Sequence, residues 1–399
     1  MKRVFSLLLA LVMVLSLLPT QALAAAAQLV PKKKSYTGFS DVTGTWCESY
    51  VRTVYEAGLM EGKSAGCFDP NGTLTEAQRL VIGVRLHTLL HGGTVEQAAP
   101  GEAWWLPAAR YYLAVDGNTA DDPAQFAEIA GTPSSRLSFA LQMAWSTPAE
   151  DLPAVNTVEE VPDFTADRYT DDDLRQSILT LYRAGILNGV DQWGKFDPWG
   201  TLTRGQAAAM LARVIDPSLR LHFDLPEFDL CRDVFGWDPQ ATVLTMDGAA
   251  VSAEVFALPL AEALRIWPPG HLDMVLDMAK TSVQTDIAAE VLCAQKGLSL
   301  DSVVNREEIS PAFVRAGVSQ AATVWRGEHD RLLALLAFQY DPDLGAFLPG
   351  FPSLSGYPNA MEQALDEARA HLPITASPLL AGLGLDTARA RLLASPYCY

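Results

Sequence analysis

An eight-residue block occurs twice in this 399-residue chain, as Phe68-Asp69-Pro70-Asn71-Gly72-Thr73-Leu74-Thr75 and as Phe196-Asp197-Pro198-Trp199-Gly200-Thr201-Leu202-Thr203. Seven of the eight positions are identical. The same apolar pattern precedes each copy, Tyr55-Glu56-Ala57-Gly58-Leu59-Met60-Glu61-Gly62 against Tyr182-Arg183-Ala184-Gly185-Ile186-Leu187-Asn188-Gly189. An amphipathic stretch follows each, Ala77 to Leu90 and Gln206 to Ile215. Matched blocks at one internal spacing mark a repeat architecture, in which a unit too small to bury its own apolar face stacks on its neighbours. The copies lie 128 residues apart (Thr75 to Thr203), twice a plausible unit, which predicts a worn copy between them. Trp105 stands twelve residues before Gly117 as Trp46 does before Gly58, and Ser135-Arg136-Leu137-Ser138-Phe139-Ala140 opens a helix midway. The expected units are therefore 36–92, a degenerate 101–150 that has lost the F-D-P-x-G-T loop, and 158–218.

Each unit reads as helix, loop, helix. A first helix, such as Ser49 to Ala57, ends at a glycine suited to the left-handed C′ position. The loop's Phe68 or Phe196 is placed to plug the core between the helices. Thr75, Ser135 and Thr203 then cap the second helices, each hydroxyl accepting an otherwise unpaired backbone N–H.

The N-terminus reads as a cleaved secretory signal over residues 1–24. Lys2 and Arg3 precede an apolar run from Val4 to Leu18, which Pro19 breaks, and Ala22-Leu23-Ala24 supplies the small residues of a cleavage site. About 15 apolar residues fall short of the ~20 needed to span a bilayer, so no membrane span is expected in the mature chain. The net charge of −18 becomes two units more negative once Lys2 and Arg3 leave. Such an acidic protein repels the phosphates of nucleic acid, and any anionic polymer must be held by a few local cations. The five cysteines form no C-x-x-C or C…H metal spacing. Cys47 and Cys67 fall within one unit, and whether they pair is left open.

The order D-V…W…A-G-L-M-x-G…F-D-P-x-G-T-L-T-x-A, three times after a signal peptide, resembles the S-layer-homology family over about residues 36 to 218. The resemblance implies a mainly α fold, a three-pronged helical spindle whose grooves hold secondary cell-wall polysaccharide bearing a pyruvylated terminal sugar. It implies a secreted protein held non-covalently on the cell wall or surface, with S-layer or other secreted proteins as further partners and no cofactor. The family's T-R-A-E signature maps onto Thr203-Arg204-Gly205-Gln206, onto Ser135-Arg136-Leu137-Ser138 and onto Thr75-Glu76-Ala77-Gln78. Arg204 and Arg136 are expected to grip the pyruvate carboxylate through paired hydrogen bonds, whereas Glu76 would repel it and leave the first groove in question. Trp46, Trp105, Trp193 and Trp199 are the candidate sugar-stacking rings, with sealing of the core the alternative for Trp46 and Trp105. Asp41 and Asp163 open the first and third units, where they fix turns and offer ligand contacts.

Residues 219–240 read as a linker and 241–399 as a mostly helical module. Val243 to Val251 form a hairpin turning at Asp247-Gly248, the preferred two-residue turn, and Ser252 caps the helix that follows. Leu272, Leu276, Ala279, Val283, Ile287, Val291 and Ala294 step by three or four residues, predicting a long amphipathic helix ended by Gly297. Further helices are expected from Pro311 to Phe338 and from Asn359 to His371. Residues 240 to 310 resemble, in order of elements, the chaperone segment of exported peptidyl-prolyl isomerase foldases, so a wall-anchored foldase is the alternative function. No catalytic constellation is recognised. His87 and His91 read as a helix terminus and not a metal site, Asp171-Asp172-Asp173 as a helix N-terminus, and Glu328-His329-Asp330 places its members on different helix faces.

Overall fold

The computed structural model describes residues 29–117, 122–300, 316–341 and 357–398. The signal segment read at residues 1–24 lies outside them. The chain divides into two compact units, residues 1–225 and 226–399. The junction read as a linker is shared out: Arg220, Leu221 and Phe223 bond within the first unit, and Leu230, Cys231, Val234, Phe235 and Trp237 enter the core of the second.

The first unit contains α1 (Glu48–Glu56), α2 (Glu76–His91), α3 (Leu106–Asp116), α4 (Arg136–Ser146), α5 (Asp172–Arg183) and α6 (Arg204–Ile215). Packing is cyclic. α1 lies on α6, α3 on α2, and α5 on α4, so the first helix of each repeat packs against the second helix of the repeat before it. At the centre the three loops exchange backbone hydrogen bonds in a ring: Leu74 N–H to Leu202 O (2.9 Å), Leu202 N–H to Ser134 O (3.2 Å) and Ser134 N–H to Leu74 O (2.8 Å). The N-terminal amides of each second helix then find acceptors on the neighbouring loop. Arg204 and Gly205 donate to Gly72 and Pro70, Arg136 and Leu137 to Gly200 and Pro198, and Glu76 and Ala77 to Thr132 and Ala130. The middle repeat has lost its sequence motif but keeps its place in the ring. Its loop is a 3₁₀ turn, Pro123–Glu128, instead of an F-D-P turn.

The caps form as the sequence implies. Thr75 and Thr203 accept from Gln78 and Gln206, whose side chains reach back to complete capping boxes, and Ser135 accepts from Ser138. Asp171 caps α5 in the same way, with Asp172 and Asp173 in its first turn. Phe68 and Phe196 are fully buried. Cys47 and Cys67 are free thiols, facing Thr45 Oγ1 (3.3 Å) and Asp41 Oδ2 (3.4 Å).

The second unit contains β1 (Thr242–Met246), β2 (Ala249–Ser252), α7 (Ala253–Ile266), α8 (Leu272–Gln295), α9 (Gln320–Tyr340), α10 (Asn359–Ala370), β3 (Ile374–Ala376), α11 (Pro378–Ala381) and α12 (Leu385–Leu393). The hairpin turns at Asp247 and Gly248, both with positive φ, but it gains a third strand that alternation did not reveal. β3 pairs antiparallel with β1, giving the order β2-β1-β3. Ser252 stands at the N-cap of α7 without using its hydroxyl there. The buried stripe of α8 runs through Val275, Ala279, Val283, Ala289 and Cys293, while Val291 is exposed, because two separate clusters claim the two ends of the helix. Among the described residues α9 starts at Gln320, capped by Ser319, later than the expected Pro311, which itself lies outside them. No helix of the described residues is long and apolar enough to cross a membrane.

Between α8 and α9 lies a buried ionic cluster. Arg326 bridges Asp286 (2.5 Å) and Asp330 (3.3 Å), and burial pushes the Asp286 carboxyl up to about 6 against the pull of Arg326. A folded-state value above the ordinary carboxylate range means that the contribution is fully present below about pH 4 and is lost as pH rises through about 6. Amide exchange of α8, corrected for its intrinsic pH dependence, is therefore expected to show weaker protection at pH 7 than at pH 4.5, and Asp286→Asn to remove most of that difference.

Candidate functional site

The two carboxylates that open the first and third repeats are turn-makers. Asp41 accepts from the backbone N–H groups of Phe68 (2.9 Å) and Asp69 (2.6 Å), and Asp163 from those of Phe196 (2.6 Å) and Asp197 (2.7 Å). Burial opposes the charge on Asp41, but these amides and the Cys67 thiol outweigh it and hold the carboxyl below its ordinary value. The same two peptide units are gripped from their carbonyl side by the signature arginines. Arg204 Nε donates to Phe68 O (2.9 Å) and Arg136 Nε to Phe196 O (2.7 Å), each guanidinium lying over the phenyl ring at 4.7 and 5.8 Å. Arg204 also donates from Nη2 to Glu61 O (2.6 Å). Both arginines are buried, at 5% and 6% exposure, and desolvation lowers the pKa of each. They are first of all braces between repeats.

The remaining expected site residues separate into two kinds. Trp105 is buried beside Ala77 and Ala130, sealing the core. Trp46 stands at the corresponding place beside Gly205, yet it is 61% exposed. Trp199 is 72% exposed on the loop that caps α4, and Trp193 is half-buried in the loop held by Asp191. These rings are not gathered around one arginine. Glu76, expected to face a ligand, is buried and paired with Arg79 (2.6 Å), which also donates to Gln142 (2.5 Å). The position thus carries an internal ion pair and not a bare anion.

A cleft of about 170 Å³ opens where Arg204 reaches the first repeat. Leu59, Met60, Glu61, Gln78, Arg85 and Trp104 supply its other walls. Arg85 is exposed, and among the described residues its guanidinium donates from Nη1 alone, to Leu59 O (3.2 Å); Trp104 is 55% exposed. Neither residue was singled out from the sequence, although a signal existed. Arg85 stands ten residues after Thr75 as Arg213 does after Thr203, and Arg213 repeats the bond, to Ile186 O (2.9 Å). Arg213, however, is also engaged by Tyr50, whose hydroxyl lies 3.4 Å from Nη2 and whose ring lies 5.1 Å away. The middle repeat has Trp145 at this position. The first cleft therefore combines one buried and one exposed guanidinium with an exposed indole.

Charged hydrogen bonds are worth about 1.5–3 kcal/mol each, and Arg204 makes one more than Arg136. Arg204→Ala is expected to cost on the order of 3 kcal/mol of first-unit stability and Arg136→Ala less, read by denaturant unfolding. Equal losses would contradict the difference in bracing.

An S-layer homology domain family matches this chain at residues 38–78 and 172–208. The first match spans the start of the first repeat to the opening turn of α2, and the second runs from α5 into α6. Neither reaches the middle repeat or the second unit. No curated protein matches the chain. Domains of this kind indicate association with the cell surface through cell-wall polymers. Two segments of the chain, one in the first repeat and one in the third, thus match S-layer homology domains.

Proposed function

We propose that the protein is a secreted wall-anchoring protein and that its first unit holds a secondary cell-wall polysaccharide in the cleft between Arg85, Arg204 and Trp104. The observation that carries this reading is the paired guanidinium groups beside an exposed indole in a chain that is otherwise strongly acidic. A carboxylate on a sugar, such as a ketal-linked pyruvate, suits an arginine because the planar fork offers two parallel N–H donors. The indole face offers an apolar platform to the C–H side of the same ring. Arg204, fixed by Phe68 and Glu61, presents its charge without conformational cost, while Arg85 is the more adaptable member. The polymer is expected to enter from solvent, since both Arg85 and Trp104 are exposed. The second unit is the cargo carried by the anchor.

Anchoring through this cleft separates binding from folding. Arg85→Ala removes an exposed cation with one protein contact, so its melting temperature should stay near that of the parent. Its sedimentation with purified wall should weaken about ten- to a hundredfold, the equivalent of roughly 1.5–3 kcal/mol. Trp104→Ala should weaken binding in the same direction. Wall binding at parental affinity in the folded Arg85→Ala protein would overturn the assignment of this cleft.

A further inference from the structure

A second hollow, of about 320 Å³, lies on the other side of Glu61, which lines both. Its size falls within the ~300–1,000 Å³ of small-ligand sites. Tyr36, Phe39 and Tyr55 form part of its wall and meet one another edge to face, with centroids 5.5 to 5.9 Å apart. Lys34 pairs with Glu61 across the hollow (2.5 Å), so the charged groups in it cancel. Gly38 and Gly66 line it as well, and open space stands where a Cβ would be on either, leaving the mouth unnarrowed.

The third repeat shows what this place in the fold accommodates. Lys33 and Lys34 donate their backbone N–H groups to Glu56 O, and Val155 and Asn156 donate theirs to Arg183 O, so Asn156 is the counterpart of Lys34. Tyr182 is likewise the counterpart of Tyr55. There the chain fills the space with its own residues 221–225. Asn156 donates to Leu221 O (2.9 Å) and accepts from Phe223 N–H (3.0 Å), Phe223 packs edge-on to Tyr182 (6.5 Å), and Leu225 closes over Gly194. In the first repeat the space is open among the described residues. Lys34 has no acceptor with which to hold a peptide N–H, so the hollow is not equipped to repeat that peptide contact.

We propose that the open hollow is a second saccharide subsite, receiving an uncharged sugar residue adjacent to the anionic unit held by Arg85 and Arg204. This rests on the reading of that cleft as the polymer site. Glu61 forms the wall common to the two, so a polymer seated in the first passes directly into the second. Charge orders the units: two guanidinium groups against one carboxylate favour the anionic sugar in the cleft, and the balanced Lys34–Glu61 pair favours a neutral one in the hollow. The aromatic wall takes the apolar side of the sugar ring, while Lys34, Glu61 and the backbone of Gly62 to Gly66 address its hydroxyls.

The test uses the full chain and two probes, a pyruvylated monosaccharide and a purified pyruvylated wall polysaccharide. Ala65→Trp and Thr37→Trp each plug the hollow from an exposed position and leave the Lys34–Glu61 pair in place. Each variant, with melting temperature unchanged, is expected to bind the polysaccharide about three- to tenfold more weakly and the monosaccharide as the parent does. Polysaccharide binding at parental affinity in either folded variant would overturn the subsite. So would an equal loss for both probes, which would mean that the change acts through the neighbouring cleft. Failure of the cleft itself looks different: Arg85→Ala would then leave monosaccharide binding intact.

Discussion

The peptide units of Phe68 and Phe196 are held from both sides, their N–H groups by an aspartate of the same repeat and their carbonyls by an arginine of the repeat before. This clasp registers the repeats in the first unit. Once Asp41 and Arg204 fix the Phe68 loop, its ring is committed to the core and the following residues are presented for exchange. The carbonyls of Pro70 and Gly72 then face the unpaired amides at the start of α6, and Leu74 enters the ring of three hydrogen bonds. A helix N-terminus has four orphan donors. Here the capping threonine satisfies one and the neighbouring loop two more, so capping a helix and joining two repeats are the same event.

The middle repeat shows what happens when one half of the clasp is lost. The residue whose carbonyl would be gripped there belongs to the Pro123–Glu128 turn, which has no F-D-P motif. The residue that would grip it is Glu76. Loss of the loop and loss of the arginine are therefore one change. An arginine at position 76 would be a buried cation without its phenylalanine carbonyl, whereas Glu76 is neutralised within its own helix by Arg79. The motif alone suggested a ligand-repelling anion; the packing makes Glu76 a consequence of the altered turn. The backbone ring survives because it needs only main-chain groups, supplied equally well by Ser134, and Thr132 likewise still accepts from the start of α2.

Much of this was legible in the sequence because it is local. Caps, glycine helix ends, the Asp247-Gly248 turn and the repeat period depend on residues near one another in the chain, and they appear where expected. What escaped notice depends on partners far apart. β3 is three residues long and has no alternation to betray it, and the exposure of Val291 follows from the split of α8 between two clusters. The signature arginines were recognised as important, but a motif does not record burial, so a brace and a ligand contact look alike. Trp46 and Trp105 make the same point. They hold equivalent places, yet one is 61% and the other 8% exposed. The difference lies in the residues packed around them, and Trp105 alone has Phe126 against its face.

Pseudo-threefold packing does not produce three equal surfaces. The core needs the same backbone three times, but the side chains outside it are under no such demand. At the position ten residues beyond each cap stand Arg85, Trp145 and Arg213. Arg213 is drawn into the protein by Tyr50, and Trp145 stacks on His87, whose ring also stacks on His91. Of these three only Arg85 is exposed. For a chain with a net charge of −18, a cation placed this way has a large effect locally, because screening over about 8 Å confines the opposing field of distant carboxylates. The symmetric part of the first unit thus supplies rigidity, and the proposed recognition site lies where the symmetry is broken, around Glu61 in the first repeat.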